Sequence, residues 1–255
     1  MSDFNSQSLK NGFLYIAFGN SFNKEAYFSI LSLLKFNPKI NVAIFTDEPS
    51  LFQSIEKDII IEKIKPKHIR AKVDFLSSTP FEQTVYLDSD TLIVKNIEDI
   101  FNCFDRDDVL VTQCFERERE KYNFIKEYSE IPYSFTEVNG GFLGYKKNER
   151  TREFLTLWQK YFKKYRKATS GWDQVSLRIA LWNSDVRLNF LPYEYNIRSY
   201  ENRLKLLNNK KDLGEDHLEP RIFHMHYSSE VHKNIFNIKS LEELENILRN
   251  KAYLI

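Results

Sequence analysis

The stretch FLYIAF at 13–18 sets the strongest limit on the fold. GNSFN follows it, and then Tyr27, Ile30, Leu31 and Leu34 recur at helical spacing. A six-residue apolar run without polar alternation reads as a strand covered on both faces. The spacing behind it predicts an amphipathic helix over 24–36, with Asn23 as its cap. The alternation repeats: NVAIFT at 41–46 predicts a second strand ending at Asp47, 58–61 a third, 70–78 a helix and 84–87 another strand. Such an order gives an α/β fold, a mostly parallel sheet flanked by helices. Further strands are expected at 109–112, 141–145, near 187–191 and at 221–226. Helices are expected where Phe154, Leu155, Trp158, Phe162 and Tyr165 form one face, over 173–182, and over 240–254, packed on the body. With no repeat, low-complexity tract or linker, residues 1–255 read as a single domain.

Composition narrows the function classes. The chain is 42% hydrophobic, enough for a sizeable core, and its formal net charge is only +1, which argues against a general nucleic-acid binder. Cys103 and Cys114, the two cysteines, give no disulfide framework and suit a reducing compartment. No secretory leader and no run of 18 apolar residues is read, so a cytoplasmic protein, at most peripheral to a membrane, is expected.

The chemistry concentrates in TVYLDSD, 84–90, where Asp88 and Asp90 follow directly on a buried strand. In open α/β sheets ligands bind beyond the carboxyl ends of the strands. Two adjacent carboxylates repel, and a divalent cation between them removes that cost and gains hard oxygen ligands. An ordinary turn, with Asn96 capping a helix over 97–101, is the plain alternative. A calcium loop of the EF-hand type fails, because Leu92 and Ile93 stand where an oxygen ligand and Gly are needed. A phosphatase of the haloacid dehalogenase type, with Asp88 as nucleophile, is strained by Leu92 and by the 87 residues preceding the pair.

Lys72, the acid pair sixteen residues later, NIEDIF at 96–101, VNGGFLGY at 138–145, GWDQVSLRIAL at 171–181, LPYEYN at 191–196 and FHMHYSS at 223–229 form an ordered set. Together they resemble the retaining glycosyltransferases of the glycogenin and galactinol synthase type, which have the GT-A nucleotide-sugar-binding fold. The resemblance implies that Asp88 and Asp90 hold Mn²⁺ or Mg²⁺ with His226 as third ligand, His224 being second choice and His232 outside the site. It implies Ser89 near the ribose and Ala17, Phe18 and Asp47 around the nucleobase. Lys72 would face the diphosphate, Lys233 would contact phosphate, and Asn139 and Gly140 would meet the donor sugar. Asp173 and Gln174 would lie beside the anomeric carbon, although Asp173 could equally cap the helix it opens. Ser229 stands where the family has Gly, and the Pro-Trp after its lysine is absent.

The expected activity is metal-dependent transfer of a hexose from a nucleoside-diphosphate sugar, UDP the expected nucleotide, to a hydroxyl of a glycan, lipid-linked or protein acceptor, with retention. A non-catalytic nucleotide- or glycan-binding relative is the third class. Residues 113–137 read as an acceptor-side loop or a solvated charged face.

Overall fold

The computed structural model describes residues 9–114, 120–208, 218–227 and 234–249. Within them the strands are β1 Leu9–Ala17, β2 Asn41–Thr46, β3 Ile60–Lys63, β4 Phe81–Leu87, β5 Thr91–Ile93, β6 Val109–Gln113, β7 Val138–Lys146, β8 Leu188–Phe190 and β9 Ile222–His224. The helices are α1 Asn20–Phe36, α2 Pro49–Phe52, α3 Lys72–Phe75, α4 Lys126–Ser129, α5 Glu149–Tyr165, α6 Asp173–Trp182, α7 Tyr200–Leu207 and α8 Leu241–Leu248.

Seven strands form one sheet in the order β3-β2-β1-β4-β7-β6-β8, and β5 pairs with β9 in a second, two-stranded ladder. The strands β1 to β4 run parallel, as does β6 with β8, while β7 is antiparallel to both β4 and β6. Strand β1 shows why its run is apolar throughout. Phe13, Tyr15 and Ala17 join the layer built with Ala26, Ile30 and Leu33 of α1. Leu14 and Ile16 face the opposite layer, with Phe154 and Trp158 of α5 and Leu177 of α6. Successive side chains point to opposite faces, so a strand covered on both sides has no polar position to offer.

The expected mixed α/β architecture is present, with local differences. Helix α1 begins at Asn20 rather than 24, and Asn23 does not cap it. The N-cap is Gly19, at φ 78°, in the left-handed region that glycine adopts without strain. Buried Asn23 instead donates to Asp47 and accepts from Thr46, tying α1 to the end of β2. The predicted helix over 70–78 is one α turn continued as a 3₁₀ turn at Leu76–Ser78. The helix expected over 97–101 is a 3₁₀ segment, Glu98–Asp105, whose Glu98 N–H is accepted by the Asn96 side chain. Strand β5 was not expected, and the strand foreseen over 221–226 ends at His224. Helix α8 is capped by Ser240 and packs Leu244 and Leu248 beside Phe28 of α1; the rest of the predicted tail helix lies outside the described residues.

Two topological facts place the site. The chain moves outward from β1 to β3 on one side and resumes with β4 on the other, so the carboxyl ends of β1 and β4 flank a crevice. Because β7 is reversed, its first residues lie beside the last residues of β4, with Leu87 opposite Phe142 and Asp88 N–H donating to Gly141 O at 2.9 Å.

Candidate active site

A cavity of about 410 Å³ opens at that crevice. Its wall includes Ala17, Phe18, Lys72, Asp88, Ser89, Asp90, Asn139, Gly140, Asp173, Gln174 and His226, so segments distant in sequence converge on one space. Asp47 is not part of the wall. Its carboxylate accepts from Gly19 N and from Asn23 at the turn between β1 and α1, where it holds the loop rather than facing the cavity. Lys233 and His232 lie outside the described residues.

Lys72, 6% exposed, is the hub. Its ammonium donates to Gly140 O at 2.7 Å and to Asp88 Oδ1 at 3.0 Å, and stands 3.3 Å from Asp173 Oδ2. Burial opposes the charge, but Asp173 and Asp88 more than offset it and raise its pKa. Asp88 also accepts from the Tyr86 hydroxyl. Its burial pushes the carboxyl up, while Lys72 and His224 together bring it below the usual range. Asp173 opens α6 without capping it. The carboxylate turns instead to Lys72 and, at 3.6 Å, to Arg70.

Asp90 is held by the second ladder. Met225 N donates to its carbonyl and His226 N to Oδ2, while His224 Nε2 stands 3.2 Å from Oδ1. Burial raises the Asp90 carboxyl, and the charge and hydrogen bond of His224 lower it well below the usual range. The two imidazoles stack with centroids 4.3 Å apart. His226 adopts φ 45°, a conformation non-glycine residues hold only when their surroundings enforce it, and its pKa falls to about 4 through burial and the neighbouring His224.

The polar network continues behind the carboxylates. Asn196 donates to Thr112 and to Asn139 Oδ1, which leaves its own oxygen to accept from His224 Nδ1 at 3.0 Å. That places a proton on Nδ1 and turns Nε2 towards Asp90 and, 4.0 Å away, Asp88. Asn139 in turn donates to Gln174 Oε1. Of the two glycines at the cavity, the one with no room for a side chain is Gly141, where a Cβ would stand 2.3 Å from the His224 ring and 2.8 Å from Asp88. At Gly140 the nearest atom would be an ordinary 3.4 Å away, so its placement in the wall does not rest on a missing side chain.

Sequence reasoning missed Tyr86, Arg70, Arg198 and Glu25, all on the cavity wall. Glu25, on α1, accepts from Ser89 Oγ. Arg198 donates to His226 Nε2 and Cys114 Sγ. Each sits in an unremarkable local pattern; the one signal available was charge on an otherwise apolar face, as at Glu25.

The donor set suits a hard divalent cation. Carboxylate oxygens of Asp88 and Asp90 lie within 4.0 Å of an imidazole nitrogen, and Asp90, His224 and His226 each offer an atom within 4.8 Å of the others.

With a mixed sheet, a cavity at its switch point and acids beside a buried lysine, the molecule has the build of a nucleotide-sugar-handling α/β enzyme. The family model for nucleotide-diphospho-sugar transferases matches residues 83–236, more than half of the chain, and the protein belongs to that family. Among solved structures, it is similar to the galactosyltransferase LgtC in complex with donor and acceptor sugar analogs, with a TM-score of 0.59 at 13% identity over 94% of this chain and 96% of that one. It is also similar to mouse xyloside xylosyltransferase 1 in its apo form, with a TM-score of 0.56 at 10% identity over 86% and 98%. A third likeness is to the glycosyltransferase GlyE of Streptococcus pneumoniae, with a TM-score of 0.60 at 14% identity over 96% and 66%. Likeness at these identities establishes the fold, which is GT-A. Comparison with curated proteins gives no match. The protein is a glycosyltransferase of GT-A type, and neither the phosphatase nor the non-catalytic reading is favoured.

Proposed function

We propose that the chain is a single catalytic domain that transfers a hexose from a UDP-sugar to a hydroxyl acceptor, with a divalent cation and with retention. The observation that carries this reading is the convergence of Asp88, Asp90, Lys72, Asn139, Asp173 and Gln174 on one cavity. Asp88, Asp90 and one histidine would hold Mn²⁺ or Mg²⁺, which when bound neutralises the diphosphate and polarises it as a leaving group.

This chain's residues supply the rest. Lys72, already charged and aimed into the cavity, stabilises negative charge as the nucleoside diphosphate departs. The backbone at Asn139–Gly140 and the Gln174 amide orient the sugar. Asp173 lies within reach of the same space and stabilises positive charge developing at the anomeric carbon, as carboxylates do in glycoside hydrolysis. Ala17 and Phe18 border the base, and Ser89 faces the ribose.

Between the two histidines the distances favour His224 over His226. The His224 ring is oriented by Asn196 so that Nε2 faces both carboxylates, whereas His226 Nε2 is engaged by Arg198. Calorimetry of UDP with and without Mn²⁺ tests the proposal: affinity should fall with chelator, and His224→Ala should remove the metal-dependent part. Equal affinity in chelator would sink the metal reading, and loss in His226→Ala alone would return the ligand role to His226.

A further inference from the structure

We propose that the face beside the mouth of the cavity docks on the anionic surface of a lipid bilayer, with Ile69 entering the headgroup layer. This stands apart from the transfer chemistry and does not depend on it. The sequence holds two basic runs that are far apart, KIKPKHIRAK at 63–72 and KYFKKYRK at 160–167. The fold lays them side by side. Gln159 of α5 donates to Val73 O, and the Phe162 ring lies 5.2 Å from the His68 ring. Lys163 and Arg166 follow Gln159 and Phe162 by four residues each, so they lie on that same side of the helix. Between the runs is a cleft of about 330 Å³, walled by His68, Ile69, Arg70, Phe162, Arg166 and Lys167, with no acid in its lining.

Asp74 pairs with His68 and Asp173 with Arg70 and Lys72, while Glu127 pairs with Lys164, so these acids leave Arg166 and Lys167 beside the cleft unmatched. Lys67, Lys163, Arg166 and Lys167 are exposed and make no ion pair among the described residues. In their midst Ile69 is 66% exposed, an aliphatic side chain projecting from a cationic field. That combination selects the occupant. A nucleic acid or a free anionic glycan would use the charge and gain nothing from Ile69, whereas a bilayer containing anionic lipid rewards both.

The placement adds a consequence for the site. Ile69 and Arg70 also belong to the wall of the large cavity, so docking sets its mouth at the membrane surface. A hydroxyl on a lipid-linked acceptor would then arrive beside Asp173. No helix among the described residues is long and apolar enough to cross a membrane, so the contact is peripheral.

Co-sedimentation of the full chain with vesicles tests this. The protein should sediment with phosphatidylcholine vesicles containing about one-third phosphatidylglycerol, and not with phosphatidylcholine alone, at about 0.1 M salt. The pair Arg166→Glu and Lys167→Glu should lower the partition coefficient about tenfold or more. The same charge change in Lys10→Glu and Lys39→Glu, at the opposite end of the sheet, should leave it unchanged. Ile69→Ser should remove the binding that persists at about 0.5 M salt, where charge is screened. A melting temperature equal to that of the wild type shows that the Arg166/Lys167 variant is folded. Equal sedimentation with both vesicle types, or equal loss in the Lys10/Lys39 control, overturns the proposal. So does displacement by millimolar inorganic phosphate, which would mark a small-anion site instead.

Discussion

The two ends of the sheet treat buried carboxylates in opposite ways. At the start of β6, Asp108 has a side chain with no exposure, and it is surrounded by Arg150, Arg187, Lys146 and Asn148. One negative charge there meets three cations and a backbone N–H from Arg187. At the carboxyl ends of β1 and β4, Asp88 and Asp173 share one buried lysine, the more exposed Arg70 adds only to Asp173, and Asp90 faces the imidazoles of His224 and His226. The first arrangement is electrostatically complete and ties β6, β7 and β8 together. The second carries surplus negative charge that the protein alone does not neutralise, and it is built around an open cavity. Surplus at a cavity marks function, while completion away from one marks stability.

The largest effect expected from breaking this contrast is at the mouth. Asp90→Ala should lower sugar transfer about 10³-fold, roughly 4 kcal/mol, with thermal unfolding in chelator unchanged or slightly raised. A melting temperature that falls along with activity would make Asp90 structural. At the other end, Asp108→Ala should cost about 3 kcal/mol in urea unfolding while leaving UDP affinity intact.

That stabilisation has a pH signature. Although burial pushes the Asp108 carboxyl up, Arg150 and Arg187 hold it well below the usual carboxylate range. The stabilisation is therefore complete above the unfolded value near pH ~4 and is lost as pH falls through the folded one. Between neutral and about pH 3, the wild type should lose more stability than Asp108→Ala. Parallel urea curves would contradict this.

Lys72→Met should separate charge balance from catalysis. Mn²⁺ affinity should tighten because a competing cation is gone, while turnover falls about 10²-fold. Weaker metal binding would show that Lys72 organises the carboxylates rather than opposing the metal. The smallest effect expected is from Tyr86→Phe. Losing the hydroxyl that orients Asp88 should weaken Mn²⁺ about tenfold in calorimetry, with little change in the affinity for UDP in chelator.

Much of this was legible in the chain. The buried strands β1, β2 and β4 and the helices α5 and α6 follow from apolar runs and helical spacing, because burial on one or two faces writes its period directly into sequence. The acid pair at the end of β4 was legible for the same reason: a charge pair ending an apolar run is conspicuous. The three-residue strand β5 carries no period long enough to read, and its partner β9 was legible only as a longer run over 221–226. They form because Asp90 and Met225 close a ladder across more than a hundred residues.

By itself, the sequence determined the alternating α/β order, the apolar layers and the identity of most polar groups on the cavity wall. It did so because those properties depend on local spacing and residue type. Only the tertiary structure decided that β7 runs backwards, and with it that Asn139 and Gly140 stand beside Asp88. It also decided that Asp47 braces a loop instead of lining the cavity, that Gly141 rather than Gly140 lacks room for a side chain, and that His224 faces both carboxylates. The two basic runs became one surface in the same way. Each depends on which distant segments meet, and pairing direction and close approach leave no mark on either segment alone.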